Sequence, residues 1–274
     1  MIPQAYITQW QQYAPWPDNN MIEQDLVISR ALIDLFQEPE LRDSLAFRGG
    51  TALFKLYLPA ARYSEDIDLV QIKPGPMGHL MDKVRSALSP WLGQPKWKQT
   101  KGRVTFKYRF ISEENVPLNL KLEINSREHF SVYGFQQNNL VVNSSWYSGT
   151  AEVTTYTLEE LLATKLRALY QRKKGRDLFD LFYAFDSKKD KVNVKKIIEA
   201  FQVYMRQSDQ NITRAMFEMN MHEKYHDAQF TGDIRPLLHP DINWNFDEAY
   251  SYVVNGLISN LSGDPWVRSE SIDT

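Results

Sequence analysis

The chain has 274 residues, 43% of them hydrophobic and 24% charged, and a formal net charge of −2. That is enough chain for one large domain or two ordinary ones, and no apolar run approaches the roughly 20 residues that span a bilayer. There is no cysteine, so a disulfide framework and a cysteine-ligated zinc site are excluded. Residues 1–20 lack the basic-then-apolar order of a secretory signal, so the cytosol is the expected location.

In chain order, Asn20 to Gln37 reads as a helix, with Ile22, Leu26, Val27, Ala31, Leu32 and Phe36 near helical spacing. Leu45 to Arg48 reads as a short strand, Thr51 to Tyr57 as a helix, Ile67 to Ile72 as a strand and Met77 to Leu92 as a helix. Between Trp97 and Val153 the pattern is β: Val104, Phe106, Tyr108 and Phe110 alternate with polar partners, as do Leu118, Leu120, Leu122 and Ile124. From Thr157 the pattern is helical, broken around Pro236 and Pro240. The predicted class is α/β (α+β), with a mixed half over residues 1–155 and a mainly helical half over 156–274.

Gly49-Gly50-Thr51 opens one predicted helix. Glycine lets a backbone approach a ligand closely, Thr51 is a competent N-cap, and free N–H groups at a helix start attract phosphate. By itself this is equally a tight strand-to-helix turn. The reading changes with Ser64-Glu65-Asp66-Ile67-Asp68-Leu69. On a strand Ile67 and Leu69 face the core, while Ser64, Asp66 and Asp68 share the other face. Two carboxylates about 7 Å apart along that face can converge on divalent ions that bridge phosphate oxygens.

Pro117 to Asn125 supplies a third acid. Its leucines and Ile124 make the buried side, and Asn119, Lys121, Glu123 and Asn125 the other. Beside the Asp-x-Asp strand, Glu123 would complete a triad as metal ligand or general base. Lys121 either neutralises the cluster or faces solvent.

On the helix from Thr157 to Arg172, Lys165 projects into the stripe of Leu158, Leu161, Leu162 and Leu169, with Arg172 along it and Arg167 opposite. A lysine there snorkels or meets a buried anion; the upstream acids favour a triphosphate over a structural ion pair. Asp177 and Asp180 share a helical face. They either cap and begin that helix or line a cleft and orient Lys165 or Arg172. Two basic runs, Lys96, Lys98, Lys101, Arg103, Lys107 and Arg109, and Lys165, Arg167, Arg172, Lys173, Lys174 and Arg176, each read alone as solvated faces; together they can form a phosphate-binding surface. His222-Glu223-Lys224-Tyr225-His226 matches the zinc-hydrolase pattern H-E-x-x-H, with Glu248 as a third ligand, but its flanks lack the apolar helix that would fix the ligands.

From Ala46 to Phe185 the chain resembles the AbiEii/AbiGii-type nucleotidyltransferase toxins. The resemblance rests on Gly49 to Leu53, Ser64 to Leu69, Lys121 to Ile124, Glu160 to Ala168 and Arg176 to Asp180, in that order. It implies a polymerase β-like core with a mixed sheet, Asp66 and Asp68 as catalytic metal ligands, Lys165 and Asp177 as further catalytic positions, and Glu123 as a third acid that some members do without. Gly49, Gly50, Thr51, Ser64, Lys165, Arg172 and Asp180 would hold the nucleotide. It also implies Mg2+ or Mn2+ with an NTP, an RNA acceptor at the tRNA 3′ end, a block of translation, a cognate antitoxin, and no membrane. The same machinery would serve nucleotide transfer to a protein hydroxyl, and a non-catalytic nucleotide-binding module is a third class. Residues 190–274 carry no matched motif and are expected to shape substrate or antitoxin contacts through Trp244, Phe246 and Tyr250.

Overall fold

The computed structural model describes residues 2–188 and 191–267. It divides into two units, Met1–Thr157 with Leu237–Ile242, and Leu158–Pro236 with Asn243–Thr274.

In the first unit, α1 (Gln4–Trp10) leads to α2 (Asn19–Gln37), where the Asp18 side chain accepts a hydrogen bond from the Asn20 N–H. α2 buries the predicted apolar stripe and also Glu23, Gln24 and Asp25. Those polar groups are satisfied: Glu23 accepts from the Ile2 and Glu113 N–H groups, and Asp25 from the Trp10 and Trp16 indoles and from Lys55. Then follow α3 (Pro39–Ser44), β1 (Leu45–Arg48), α4 (Gly49–Leu56), β2 (Asp66–Gln71), α5 (Gly78–Leu92), β3 (Lys96–Thr100), β4 (Arg103–Ile111), β5 (Pro117–Asn125), β6 (Gln136–Asn143) and β7 (Ser148–Thr155).

The strands form one mixed sheet in the order β3-β4-β5-β2-β1-β7-β6. β2 lies at its middle, antiparallel to β1 and parallel to β5. Alternation fixes the two faces. Val104, Phe106, Tyr108, Leu120, Leu122, Ile124, Ile67 and Leu69 are buried, and their neighbours in sequence point to the other face. Leu237–Ile242, read in the sequence only as a proline-marked break, returns to this unit: Tyr63 N–H donates to the Leu237 carbonyl at 2.7 Å, and His239 N–H to that of Ala61 at 2.8 Å.

The second unit is helical: α6 (Leu158–Gln171), α7 (Gly175–Lys188), α8 (Val194–Arg206), α9 (Arg214–Tyr225), the short α10 (Ala228–Gly232) and α11 (Phe246–Gly256). Gly175 is required at the start of α7, because a Cβ there would lie 2.2 Å from the Phe230 carbonyl oxygen. Trp244 packs on Phe179 and Phe182, and Phe246 and Tyr250 on Tyr225, and all three remain partly exposed. Among the described residues no helix is long and apolar enough to cross a membrane.

Candidate active site

Asp66 and Asp68 project from the same side of β2 and are half-buried, while Ile67 and Leu69 between and beyond them are sealed in the core. The Gly-Gly turn meets them directly. Gly49 has a φ of +84°, open to glycine and strained for other residues, and a Cβ there would lie 2.5 Å from Asp68 Oδ2. A Cβ on Gly50 would lie 2.4 Å from Arg62 Nη2 and 3.1 Å from Ser64 Oγ. The backbone at the start of α4 is therefore pressed against the Asp-x-Asp strand at Gly49, which that approach and its positive φ both demand, while Gly50 faces the Arg62 guanidinium and Ser64. Thr51 is not the N-cap the sequence suggested. The helix already begins at Gly49, so the buried Thr51 hydroxyl instead donates to the Asp66 carbonyl at 2.6 Å and shares a hydrogen bond of 2.9 Å with Ser64 Oγ.

β5 lies parallel beside β2 with Lys121 opposite Asp66 and Glu123 opposite Asp68. Lys121 Nζ reaches Asp66 at 3.1 Å and Glu123 at 3.4 Å. Partial burial works against its charge, but Asp66 and then Glu123 and Asp68 outweigh it and raise the ammonium's pKa above its usual value. Glu123 also accepts from Thr105 at 3.3 Å and faces Arg103 at 3.6 Å. Arg48, opposite Asp68 across β1, donates to Glu128 at 2.7 Å; burial opposes its charge, and Glu128 with Asp68 overcomes that opposition.

The second unit holds a different acidic pair. Asp177 and Asp180 are fully buried on α7, and the buried Lys165 on α6 lies 3.3 Å from Asp177 and 2.8 Å from Asp180. Arg172 closes a two-pronged contact on Asp177, at 2.6 and 2.8 Å. Burial would raise the Asp177 pKa, but Lys165 and Arg172 prevail and lower it. Asp177 lies in the first turn of α7, yet its carboxylate serves these cations. Nearby on α9, Lys224 Nζ donates to the Leu169 carbonyl and, at 2.9 Å, to that of Tyr170; burial lowers its pKa to about 8.

The sequence model described as "Nucleotidyl transferase AbiEii toxin, Type IV TA system" matches residues 30–252, well over half of the chain. The chain belongs to the AbiEii nucleotidyltransferase toxin family. Its fold is also that of MenT4, a nucleotidyltransferase toxin of Mycobacterium tuberculosis, with a TM-score of 0.69 at 16% identity over 96% of this chain and 91% of that one. JHP933 of Helicobacter pylori matches with a TM-score of 0.55 at 20% identity, over 88% of this chain and 92% of that one. No curated protein matches. As a type IV nucleotidyltransferase toxin it takes an NTP as substrate and has an antitoxin as counterpart.

A divalent ion of the kind nucleotidyltransferases generally use would meet hard carboxylate oxygens on Asp66 and Asp68 of this AbiEii-family toxin, the right donor type for such a cation. Glu123 stands opposite Asp68 on β5. Among the described residues no three His, Asp or Glu side chains gather into a metal site, and Glu123 is already held by Lys121, Arg103 and Thr105. The zinc alternative is corrected on the same ground. His222 and His226 stand edge to face with ring centroids 5.1 Å apart, His226 is the residue that ends α9, and neither Glu223 nor Glu248 completes a ligand set.

Thus the structure brings Gly49, Gly50, Thr51, Ser64, Asp66, Asp68 and Glu123 together in the first unit, and Lys165, Arg172, Asp177 and Asp180 together in the second. Sequence reasoning overlooked the buried Arg62, whose guanidinium lies over the Phe54 ring at 5.2 Å and abuts Gly50. Its only sequence signal was its place two residues ahead of Ser64.

Proposed function

We propose that this toxin transfers the nucleoside monophosphate of an NTP to the 3′ hydroxyl of an RNA, with tRNA as the acceptor class, and so blocks translation. The observation that carries the reading is the contact of Gly49 with the Asp68 carboxylate, which sets a phosphate-attracting helix start against the metal-binding acids. Mg2+, or Mn2+ in its place, is the ion of the proposal. When bound, it neutralises triphosphate oxygens and holds the reacting groups in line.

In this reading Asp66 and Asp68 hold that ion, and the Gly49-Gly50 backbone and Ser64 orient the phosphates. The 3′ oxygen of the acceptor forms a bond to the α-phosphorus, the bond to the bridging oxygen breaks, and pyrophosphate leaves. The hydroxyl's proton passes to a neighbouring carboxylate. Lys121 offsets the negative charge of the cluster, and Glu123 positions Lys121 instead of ligating metal. Lys165, with Asp177, Asp180 and Arg172 setting its position, is the second unit's candidate catalytic lysine, a role supported by the matched stretch from Glu160 to Asp180 and by the family match across it. Its signature is a raised NTP KM in Lys165→Met that Lys165→Arg partly restores.

The test uses each α-labelled NTP with Mg2+, total tRNA and a cell extract. Label in RNA supports the proposal. Label confined to protein replaces the acceptor with a protein hydroxyl, and label in neither rejects catalytic transfer under these conditions.

A further inference from the structure

The face of the sheet that carries Asp66 and Asp68 continues outward across β5, β4 and β3, and strand register fixes its side chains. Asp66 lies opposite Lys121, Lys121 opposite Lys107, and Lys107 opposite Lys96. Three lysines therefore stand in one row across three adjacent strands and end at a proposed metal-binding acid. The next row is Asp68, Glu123, Thr105 and Lys98, and Arg109 follows Lys107 on the same side of β4. Lys96, Lys98, Lys107 and Arg109 are exposed, and among the described residues none of them has an ion-pair partner.

Like charges directly opposite one another on a sheet are destabilising. Lys121 is compensated by Asp66 and Glu123, but Lys107 and Lys96 beyond it, with the flanking Lys98 and Arg109, are not, and such a cluster makes physical sense where a polyanion supplies the compensation. The chain's net charge of −2 makes the feature local, not a by-product of a basic protein. We propose that this face is the track for the sugar–phosphate backbone of the acceptor RNA, running from the edge strand β3 over Lys96, Lys98, Lys107 and Arg109 to Asp66. With strands about 4.8 Å apart, the row from Lys96 to Asp66 covers about 14 Å. No aromatic side chain projects from this face of β3, β4 or β5, so the track grips phosphates and reads no bases. The inference rests on the RNA reading above and adds where and how the RNA is held.

Full-length Asp66→Asn protein, which stops turnover, is titrated against short fluorescein-labelled single-stranded RNAs over a salt series by fluorescence anisotropy. The expected result is a steep salt dependence with equal affinity for different homopolymers. Replacing Lys96, Lys98, Lys107 and Arg109 together with Gln makes the slope of log K on log salt shallower by about 3, at about 0.7 for each phosphate contact of a single strand. A control replacing the exposed Lys73, Lys191, Lys195 and Arg206 leaves it unchanged. If circular dichroism shows that the fourfold variant is unfolded, Lys107→Gln alone is read for a change of about 0.7. An unchanged slope with intact RNA binding overturns the track and leaves the RNA reading standing. Failure of the parent protein to bind any RNA overturns both. Displacement by polyglutamate of matched charge as effective as by RNA overturns RNA as the occupant.

Discussion

The two carboxylate clusters contrast sharply. Asp66 and Asp68 stand half-exposed beside a glycine turn, approached by one lysine that lies at a similar distance from Glu123. Asp177 and Asp180 are fully buried and held by Lys165, with Arg172 adding a two-pronged contact to Asp177. An open acidic pair on a strand can be reached by an incoming cation, whereas a buried one is reached only by the cations of its own chain. Placement on the surface or in the core, more than residue type, decides which acids await a ligand and which join helices.

This contrast can be broken most forcefully at the open pair. Asp66→Asn or Asp68→Asn is expected to lower nucleotide transfer on the order of 10³-fold or more, a loss of several kcal/mol of metal-dependent stabilisation. Thermal unfolding of the same variants should be nearly unchanged, and a large fall in melting temperature would assign these acids to the fold instead. At the closed pair the balance reverses. Asp177→Ala leaves the buried Lys165 with Asp180 as its remaining acid and takes the two-pronged contact from Arg172, and should destabilise the protein by about 1–3 kcal/mol in denaturant titration.

A finer probe is Lys121. Its ammonium competes with a divalent ion for Asp66, so Lys121→Met should tighten Mn2+ binding, measured by electron paramagnetic resonance without nucleotide, by roughly tenfold; weaker binding would make Lys121 a support for the site. The smallest effect concerns pH. Folded, Lys224 loses its proton near pH 8; unfolded, it does so near 10.5. Between these values the unfolded chain binds more protons, so this lysine makes stability rise with pH there and contributes no slope well below 8. Lys224→Met should flatten that rise in urea titrations at pH 8 and 10.

Much of this arrangement was legible from spacing. The alternation of Asp66, Ile67, Asp68 and Leu69 announced a strand with acids on one face, and Lys165 was visible as a charge inside an apolar stripe. What spacing cannot give is register. Nothing local says that Lys121 stands opposite Asp66 and Glu123 opposite Asp68, which is what brings the lysine between the two acids Asp66 and Glu123. Thr51 was misjudged because α4 begins at Gly49, two residues earlier, with Arg48 at the N-cap position. β6 is rich in Asn and Gln, so it carried little apolar alternation to reveal a strand. The return of Leu237–Ile242 to the first unit depends on backbone hydrogen bonds between distant segments, and a pair of prolines signalled only an interruption.

The central claim is that Asp66 and Asp68 bind an NTP through a divalent ion. Calorimetric titration of a non-hydrolysable NTP analogue with Mg2+ into the native protein and into the Asp66→Asn, Asp68→Asn double variant tests it most directly. The account predicts Mg2+-dependent binding to the native protein and at least a tenfold weaker affinity in the variant, a difference of about 1.4 kcal/mol or more. Equal affinity of both proteins for the Mg2+-bound analogue would contradict it.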